Sequence, residues 1–288
     1  LKYSTRPNLC VAFTRNACHL SRPMAPMAPL LLGGYDASMR RNGANSAAEG
    51  PNHPYKTPKA EGTPAVLVTS SLEDWLRPEG MTYQGFLFPR PATWPAYQKE
   101  IDMAIGRFGP EGQVEKRILR SSSDANYELE FQQAAGELLS RVKLPEELSK
   151  LVQLDAGKMG STVARLCPWS NVFQLKLELM GEDVCQRWHR DFYCGRAIIT
   201  YNLRGTEYTS EENVDNWELE NCGNNDCIIR DKSKIQQISV GDMLFIKGRG
   251  FPEGAKGLVH KSPAVTESGG MVLNRLVMKV DVPIVKAS

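Results

Sequence analysis

The 288-residue chain carries 35 Lys and Arg against 33 Asp and Glu, a formal net charge of +2, and is 41% hydrophobic. That length allows one large domain or two small ones, and the composition is that of an ordinary soluble protein. The near-balanced charge gives no electrostatic case for a nucleic-acid partner, and no apolar run reaches the roughly 18 residues of a membrane span.

Residues 1–62 are rich in Pro, Ala, Ser, Asn and Gly and show no sustained period. Over the first 50 residues, Lys2, Arg6, Arg15, Arg22, Arg40 and Arg41 face only Asp36 and Glu49. A basic, acid-poor stretch of this kind reads as a transit-peptide-like extension for a plastid or mitochondrion, or else as a disordered tail on a cytoplasmic protein. The seven cysteines are odd in number and irregularly spaced, which points to reduced thiols in an intracellular compartment. Cys222 and Cys227 form a C-x4-C pair that lacks the second pair of a zinc site.

A single folded domain is expected over 63–288, with helical support over 63–165 and a β-core over 166–283. Ala65–Val68 and Phe86–Phe88 read as short strands, with one helical turn at Leu72–Leu76 between them. Thr93 is placed to cap a helix whose apolar positions are Tyr97, Ile101, Ala104, Ile105 and Phe108. Asp124 is placed to open a second helix, with Tyr127, Phe131, Ala135, Leu138 and Val142 on one face. A third begins near Pro145 and carries Leu148, Leu151, Val152, Met159 and Val163.

From Val172 the period changes to two: Val172, Gln174, Lys176 and Glu178 alternate with Phe173, Leu175, Leu177 and Leu179, the pattern of a half-buried strand. Further strands are expected at 185–192, 196–203, 228–230, 234–239, 243–247, 258–260 and 271–280. Helices first and short strands after give an α+β fold, with a double-stranded β-helix (jelly-roll) core braced by the N-terminal helices. The polar segment 211–234 reads as a lid or disordered loop between two strands.

Only two of the four histidines fall in the folded part, His189 and His260. His189 and Asp191 are two apart, so a strand would aim both side chains at one point. With His260 they make two imidazoles and one carboxylate, the ligand set of non-haem Fe(II) oxygenases. Such an enzyme using 2-oxoglutarate needs a buried cation for the co-substrate's distal carboxylate. Arg275 offers a planar fork on an otherwise apolar strand. Pairing of Arg275 with Asp281 or Glu178, or exposure to solvent, remains the alternative. Trp169, Trp188, Phe192, Tyr193 and Trp217 could wall an apolar pocket or simply pack in the β-core.

The run Trp188-His189-Arg190-Asp191, Arg196, Thr200-Tyr201, Gly205 to Tyr208 and Asn213 to Asp215 resembles the domain-of-unknown-function family numbered 1826. Gly241-Asp242, Leu244 to Gly248, Val259 to Pro263 and Arg275-Leu276 extend the resemblance. That family in turn is similar to the 2-oxoglutarate/Fe(II) oxygenase superfamily. The resemblance implies His189, Asp191 and His260 as metal ligands and Arg275 as the co-substrate anchor. Arg196 and Tyr201, at family motif positions, become secondary candidates for that anchoring. The activity implied is oxidation, by hydroxylation or desaturation, of an unidentified small molecule. Links of the family to zinc homeostasis keep a second reading open, a non-enzymatic Zn(II)-binding module built on the same three ligands. A third reading is a metal-free structural protein with His189 and Asp191 hydrogen-bonded to each other or to backbone.

Overall fold

A computed structural model of the chain describes residues 65–91, 93–108, 113–120, 126–181, 185–221, 223–252, 255–264 and 273–284, with side chains in the span 113–120 described only for 117–119. The basic extension over 1–62 and Cys222 lie outside the described residues.

The helices follow the apolar spacing closely. The first turn after Thr93 is a 3-10 segment, Trp94–Tyr97, and α1 (Gln98–Ile105) starts only where it ends. Thr93 makes no capping bond, so it is not the cap expected of it. Asp124 lies outside the described residues. The second helix, α2 (Tyr127–Leu139), is capped instead by Asn126, whose Oδ1 accepts from the Leu129 amide at 3.2 Å. The third, α3 (Glu146–Leu166), has Pro145 at its N-cap position and Glu146 and Glu147 in its first turn, where the helix dipole favours acids. It crosses α2 at Gly160, where an added Cβ would lie 2.1 Å from the Phe131 ring; only glycine admits so close a contact.

Ten strands are described: β1 (Val66–Val68), β2 (Gly85–Phe88), β3 (Gln113–Arg120), β4 (Val172–Met180), β5 (Gly195–Thr200), β6 (Glu207–Thr209), β7 (Gln236–Gln237), β8 (Met243–Lys247), β9 (Val259–Lys261) and β10 (Arg275–Val282). Seven form one sheet in the order β1-β2-β8-β5-β10-β4-β3, and three form another in the order β7-β6-β9. The result is a mixed helix and strand protein built on a large sheet. Strand β3, which pairs with β4 along its length, was not expected. Its sequence, Gln-Val-Glu-Lys-Arg-Ile-Leu-Arg, is half charged, in keeping with its place at the sheet edge.

The two-residue period sorts the large sheet into two faces. On one, Leu175 and Leu177 of β4, Ala197 and Ile199 of β5, Phe245 of β8 and Leu276, Met278 and Val280 of β10 join the α1, α2 and α3 side chains in the main core. On the other, Ile198, Leu244, Ile246 and Val277 pack with Tyr208 of β6 in a smaller cluster. The small sheet therefore covers the face opposite the helices. Strand β4 shows the expected half-buried alternation over Val172–Leu177, and only at Glu178 is the polar side buried as well.

Two expected strands are absent. Residues 185–192 contribute only an isolated bridge, His189 to His260, and 228–230 only a bridge from Ile229 to Val214. Around 185–189 the backbone is held by a side chain instead: the Trp188 amide donates to Asn225 Oδ1 at 3.0 Å, and Asn225 Nδ2 donates to the Gln186 carbonyl at 2.8 Å. Segment 211–234 is folded rather than loose. It holds α4 (Asn216–Asn221) and α5 (Asn225–Ile228), and its Val214, Leu219, Ile228 and Ile229 bury Trp188 and Val259. No helix among the described residues is long and apolar enough to cross a membrane.

Candidate metal centre

The amide of His189 donates to the His260 carbonyl and the amide of His260 to the His189 carbonyl, each at 3.0 Å. This exchanged pair sets the two imidazoles side by side, with ring centroids 4.4 Å apart. Each Nδ1 lies against a carbonyl, that of Arg187 at 2.8 Å for His189 and that of Leu258 at 3.0 Å for His260. A carbonyl only accepts, so Nδ1 carries the proton and the Nε2 lone pair is free on each ring. Both lone pairs point at Asp191: His189 Nε2 is 3.8 Å from Oδ1, and His260 Nε2 is 3.6 Å from Oδ2.

Asp191 is 5% exposed and His260 3%. Burial favours the neutral carboxyl of Asp191, but the Arg196 guanidinium and the two imidazoles outweigh it and leave the pKa at about 2. For His260, burial outweighs the attraction of Asp191 and holds the imidazole down at about 4. His189 is lowered for the same reason. At neutral pH the centre is thus one carboxylate and two neutral imidazoles, the protonation states metal ligation requires.

One donor atom from each of the three residues lies within 4.8 Å of the others. Asp191 Oδ2 is buried and has no hydrogen-bond partner. A buried carboxylate oxygen without a donor is costly, and a cation between it and the two Nε2 atoms would satisfy it. The three residues therefore fit a divalent metal.

Arg196, on β5, donates through Nη1 to Asp191 Oδ1 at 2.8 Å. Its Nε and Nη2 donate to the two oxygens of Asp281 at 2.5 and 3.0 Å. Lys176 Nζ also meets Asp281 Oδ2, at 2.6 Å. The Tyr193 ring lies beneath Arg196, 4.4 Å from the guanidinium carbon to the centroid.

Arg275 is 1% exposed. Its Nη1 donates to the Arg204 carbonyl at 2.8 Å, its Nη2 approaches Met180 Sδ at 3.7 Å, and its Nε has no partner. Among the described residues no carboxylate pairs with it. The two acids that attract it from a distance are committed elsewhere, Glu178 to Lys279 and Glu207 to Lys261. Burial consequently drags the guanidinium down to about 10. Neither Asp281, nor Glu178, nor solvent is its partner.

A cavity of about 60 Å3 lies beside the centre; His189, His260, Arg196, Thr200, Lys279 and Arg275 all line it. It runs along β10, where Arg275, Val277 and Lys279 recur every second residue and line it. Tyr201 is not brought into it. Next to Thr200 in sequence, it faces the other way, fully buried with its ring 4.5 Å from that of Trp94. Arg196 reaches the cavity but each of its three nitrogens is already engaged by a carboxylate. The aromatics do not wall the cavity either: Phe192, Trp217 and Trp169 are exposed, Trp188 is buried with Val214, Leu219 and Val259, and Tyr193 lies against Arg196. Lys176, Lys279 and Asp281 were not singled out as site groups. Their signal was a charge at every second position of strands that are otherwise apolar.

Residues 92–281 match the model of a family described as "Protein of unknown function (DUF1826)". No curated protein matches the sequence. Among solved structures, the dioxygenase for auxin oxidation 1 from Arabidopsis thaliana is similar over 77% of this chain and 95% of its own, at 7% identity and a TM-score of 0.40. A full-length Neurospora crassa protein, solved in complex with alpha-KG and 5-formyluracil, is similar over 77% and 85%, at 9% identity and a TM-score of 0.37. The Fe(II)/(alpha)ketoglutarate-dependent dioxygenase TqaL is similar over 75% and 87%, at 10% identity and a TM-score of 0.40.

Proposed function

The chain belongs to the DUF1826 family, and from that premise we propose that it is an Fe(II)- and 2-oxoglutarate-dependent oxygenase. His189, Asp191 and His260 would hold the iron, and Arg275 would bind the distal carboxylate of 2-oxoglutarate. On this reading the two sheets are an elaborated double-stranded β-helix with the centre between them. The observation that carries the proposal is Arg275: a buried guanidinium without a carboxylate, in the same cavity as the two imidazoles. A guanidinium so placed calls for an anion from outside the chain, and its fork suits a carboxylate.

Bound together, iron and 2-oxoglutarate supply the oxidising power, drawn from O2, that hydroxylates or desaturates a substrate. The chain's own groups do the rest. The Arg187 and Leu258 carbonyls fix the imidazole tautomers, and Arg196 fixes Asp191. Thr200 and Lys279 add a hydroxyl and an ammonium to the cavity wall. A small-molecule substrate would approach from the open side, where the His189 side chain keeps 30% of its surface exposed. A Zn(II) module needs the three ligands but has no use for Arg275 in their cavity, which is why the oxygenase reading is preferred.

Calorimetric titration tests this. The parent with Fe(II), kept anaerobic, should bind 2-oxoglutarate, and omission of the metal or Arg275→Gln should weaken binding by about 2 kcal/mol or more, the scale of a lost charged hydrogen-bond pair. Equal binding by parent and Arg275→Gln would remove Arg275 from the site.

A further inference from the structure

The roles of the two Asp191 oxygens are not the same. Oδ1 accepts from Arg196 Nη1 at 2.8 Å and lies 3.8 Å from His189 Nε2, whereas Oδ2 is buried without a donor and faces His260 Nε2 at 3.6 Å. Arg196 cannot swing away to another task. It is buried, its other two nitrogens grip both oxygens of Asp281, and the Tyr193 ring closes the space beneath it. Asp281 is itself held, by Lys176 at 2.6 Å. The chain Lys176, Asp281, Arg196, Asp191 spans β4, β10 and β5, three adjacent strands of the large sheet.

A carboxylate can bind a metal through one oxygen or chelate it through two. Chelation by Asp191 would take one of the three adjacent positions that a facial triad leaves free, and 2-oxoglutarate with O2 would use all three. We propose that Arg196 is a positioning residue that ties up Oδ1, so that Asp191 offers Oδ2 alone and the third position stays open. It is therefore not an anchor for the co-substrate, the role its motif position suggested. This inference rests on the oxygenase reading above.

The test compares the parent, Arg196→Gln and Arg196→Lys, each loaded anaerobically with Fe(II) and titrated with 2-oxoglutarate, with affinity and visible absorption as readouts. Arg196→Gln should keep Fe(II) but bind 2-oxoglutarate at least about tenfold more weakly, with an altered absorption band. Arg196→Lys, which retains a donor, should fall between it and the parent. A merely structural role would lower thermal stability and leave the 2-oxoglutarate affinity of the iron-loaded protein unchanged; that result overturns the inference, as does loss of Fe(II) itself from a folded Arg196→Gln. If Arg196→Gln does not fold, Arg196→Lys decides: weakened 2-oxoglutarate binding supports the role and parental binding overturns it. A parent that binds no divalent metal overturns both this inference and the oxygenase reading, whereas a parent that binds Fe(II) and 2-oxoglutarate alongside an unaffected Arg196→Gln overturns this inference alone.

Discussion

His189 and His260 exchange both of their backbone hydrogen bonds although His189 lies in no strand. A single bridge, 71 residues apart in sequence, thus sets the spacing of two imidazoles that converge on one carboxylate. His260 is placed by β9, where it pairs with Tyr208 of β6, and Asp191 by its bond to Arg196 and by the Arg249 amide on its carbonyl.

Asp191→Ala should abolish tight Fe(II) binding and leave the fold in place. Its removal frees one nitrogen of Arg196, which keeps both oxygens of Asp281, so no buried guanidinium is left unpaired. Anaerobic Fe(II) titration alongside far-ultraviolet circular dichroism checks this. A variant that binds Fe(II) like the parent would show the ligand set to be wrong.

The metal-free protein should lose stability as pH falls from about 6.5 toward 4. The His260 imidazole is held at about 4 by burial, while in the unfolded chain it titrates near 6.5. Between those values the unfolded chain binds the extra proton, so the contribution is complete above the unfolded pKa and is lost on acidification. Its size is on the order of 3 kcal/mol. Asp191 adds a second, lower window, present above its unfolded value and lost as pH falls toward about 2. Urea denaturation at pH 7.5 and pH 5 measures the first window. Equal stability at both, or a His260→Gln variant with the same pH dependence as the parent, would contradict it.

Asn225→Ala should loosen the segment that carries His189. The Asn225 amide group serves both the Trp188 amide and the Gln186 carbonyl, and nothing else among the described bonds replaces it there. The buried Trp188 N–H would then be unsatisfied, a loss of about 1–3 kcal/mol. Amide exchange at 186–190 should rise and Fe(II) affinity fall, with the main core between helices and large sheet unaffected. Unchanged exchange would mean that segment 211–234 does not support the site.

Gly248→Ala should disturb the other ligand segment. Residues 248–250 bond through their amides to the carbonyls of Cys194, Asp191 and Tyr193 at 3.0, 2.9 and 3.2 Å. A Cβ at Gly248 would lie 1.8 Å from the Tyr193 carbonyl oxygen, so the 191–194 backbone must move. Overpacking of this kind costs about 1–3 kcal/mol, and displacement of Asp191 should weaken Fe(II) binding as well. Parental stability and Fe(II) affinity in this variant would show that the backbone adjusts without moving the ligand.

Where one physical signal dominated, the fold could be read from the sequence. The apolar spacing of Phe131, Leu138, Leu148, Val152 and Met159 marks α2 and α3, and Met243–Lys247 reads directly as β8. Strand β3 escaped because an edge strand carries little apolar periodicity. The His189 segment reads as a strand because its residue types fit one, while the Asn225 side chain that replaces a neighbouring strand lies 36 residues further along the chain. The candidate ligands are legible because histidines are scarce in the folded part. The division of labour between the arginines was not: Arg196 and Arg275 look alike in sequence, and only their carboxylate partners, or the lack of one, separate them. Tyr201 follows a cavity-facing Thr200 and so faces the opposite side, toward Trp94, which its motif position alone does not reveal.

On the proposed function, iron and 2-oxoglutarate meet between His189, Asp191, His260 and Arg275. Anaerobic titration of the purified protein with Fe(II) and then 2-oxoglutarate, followed by visible absorption, tests this. A weak charge-transfer band should appear only when both are present and be absent in Asp191→Ala. No band from the two together, with tight Zn(II) binding at the same three residues, would contradict it and assign the centre to metal handling.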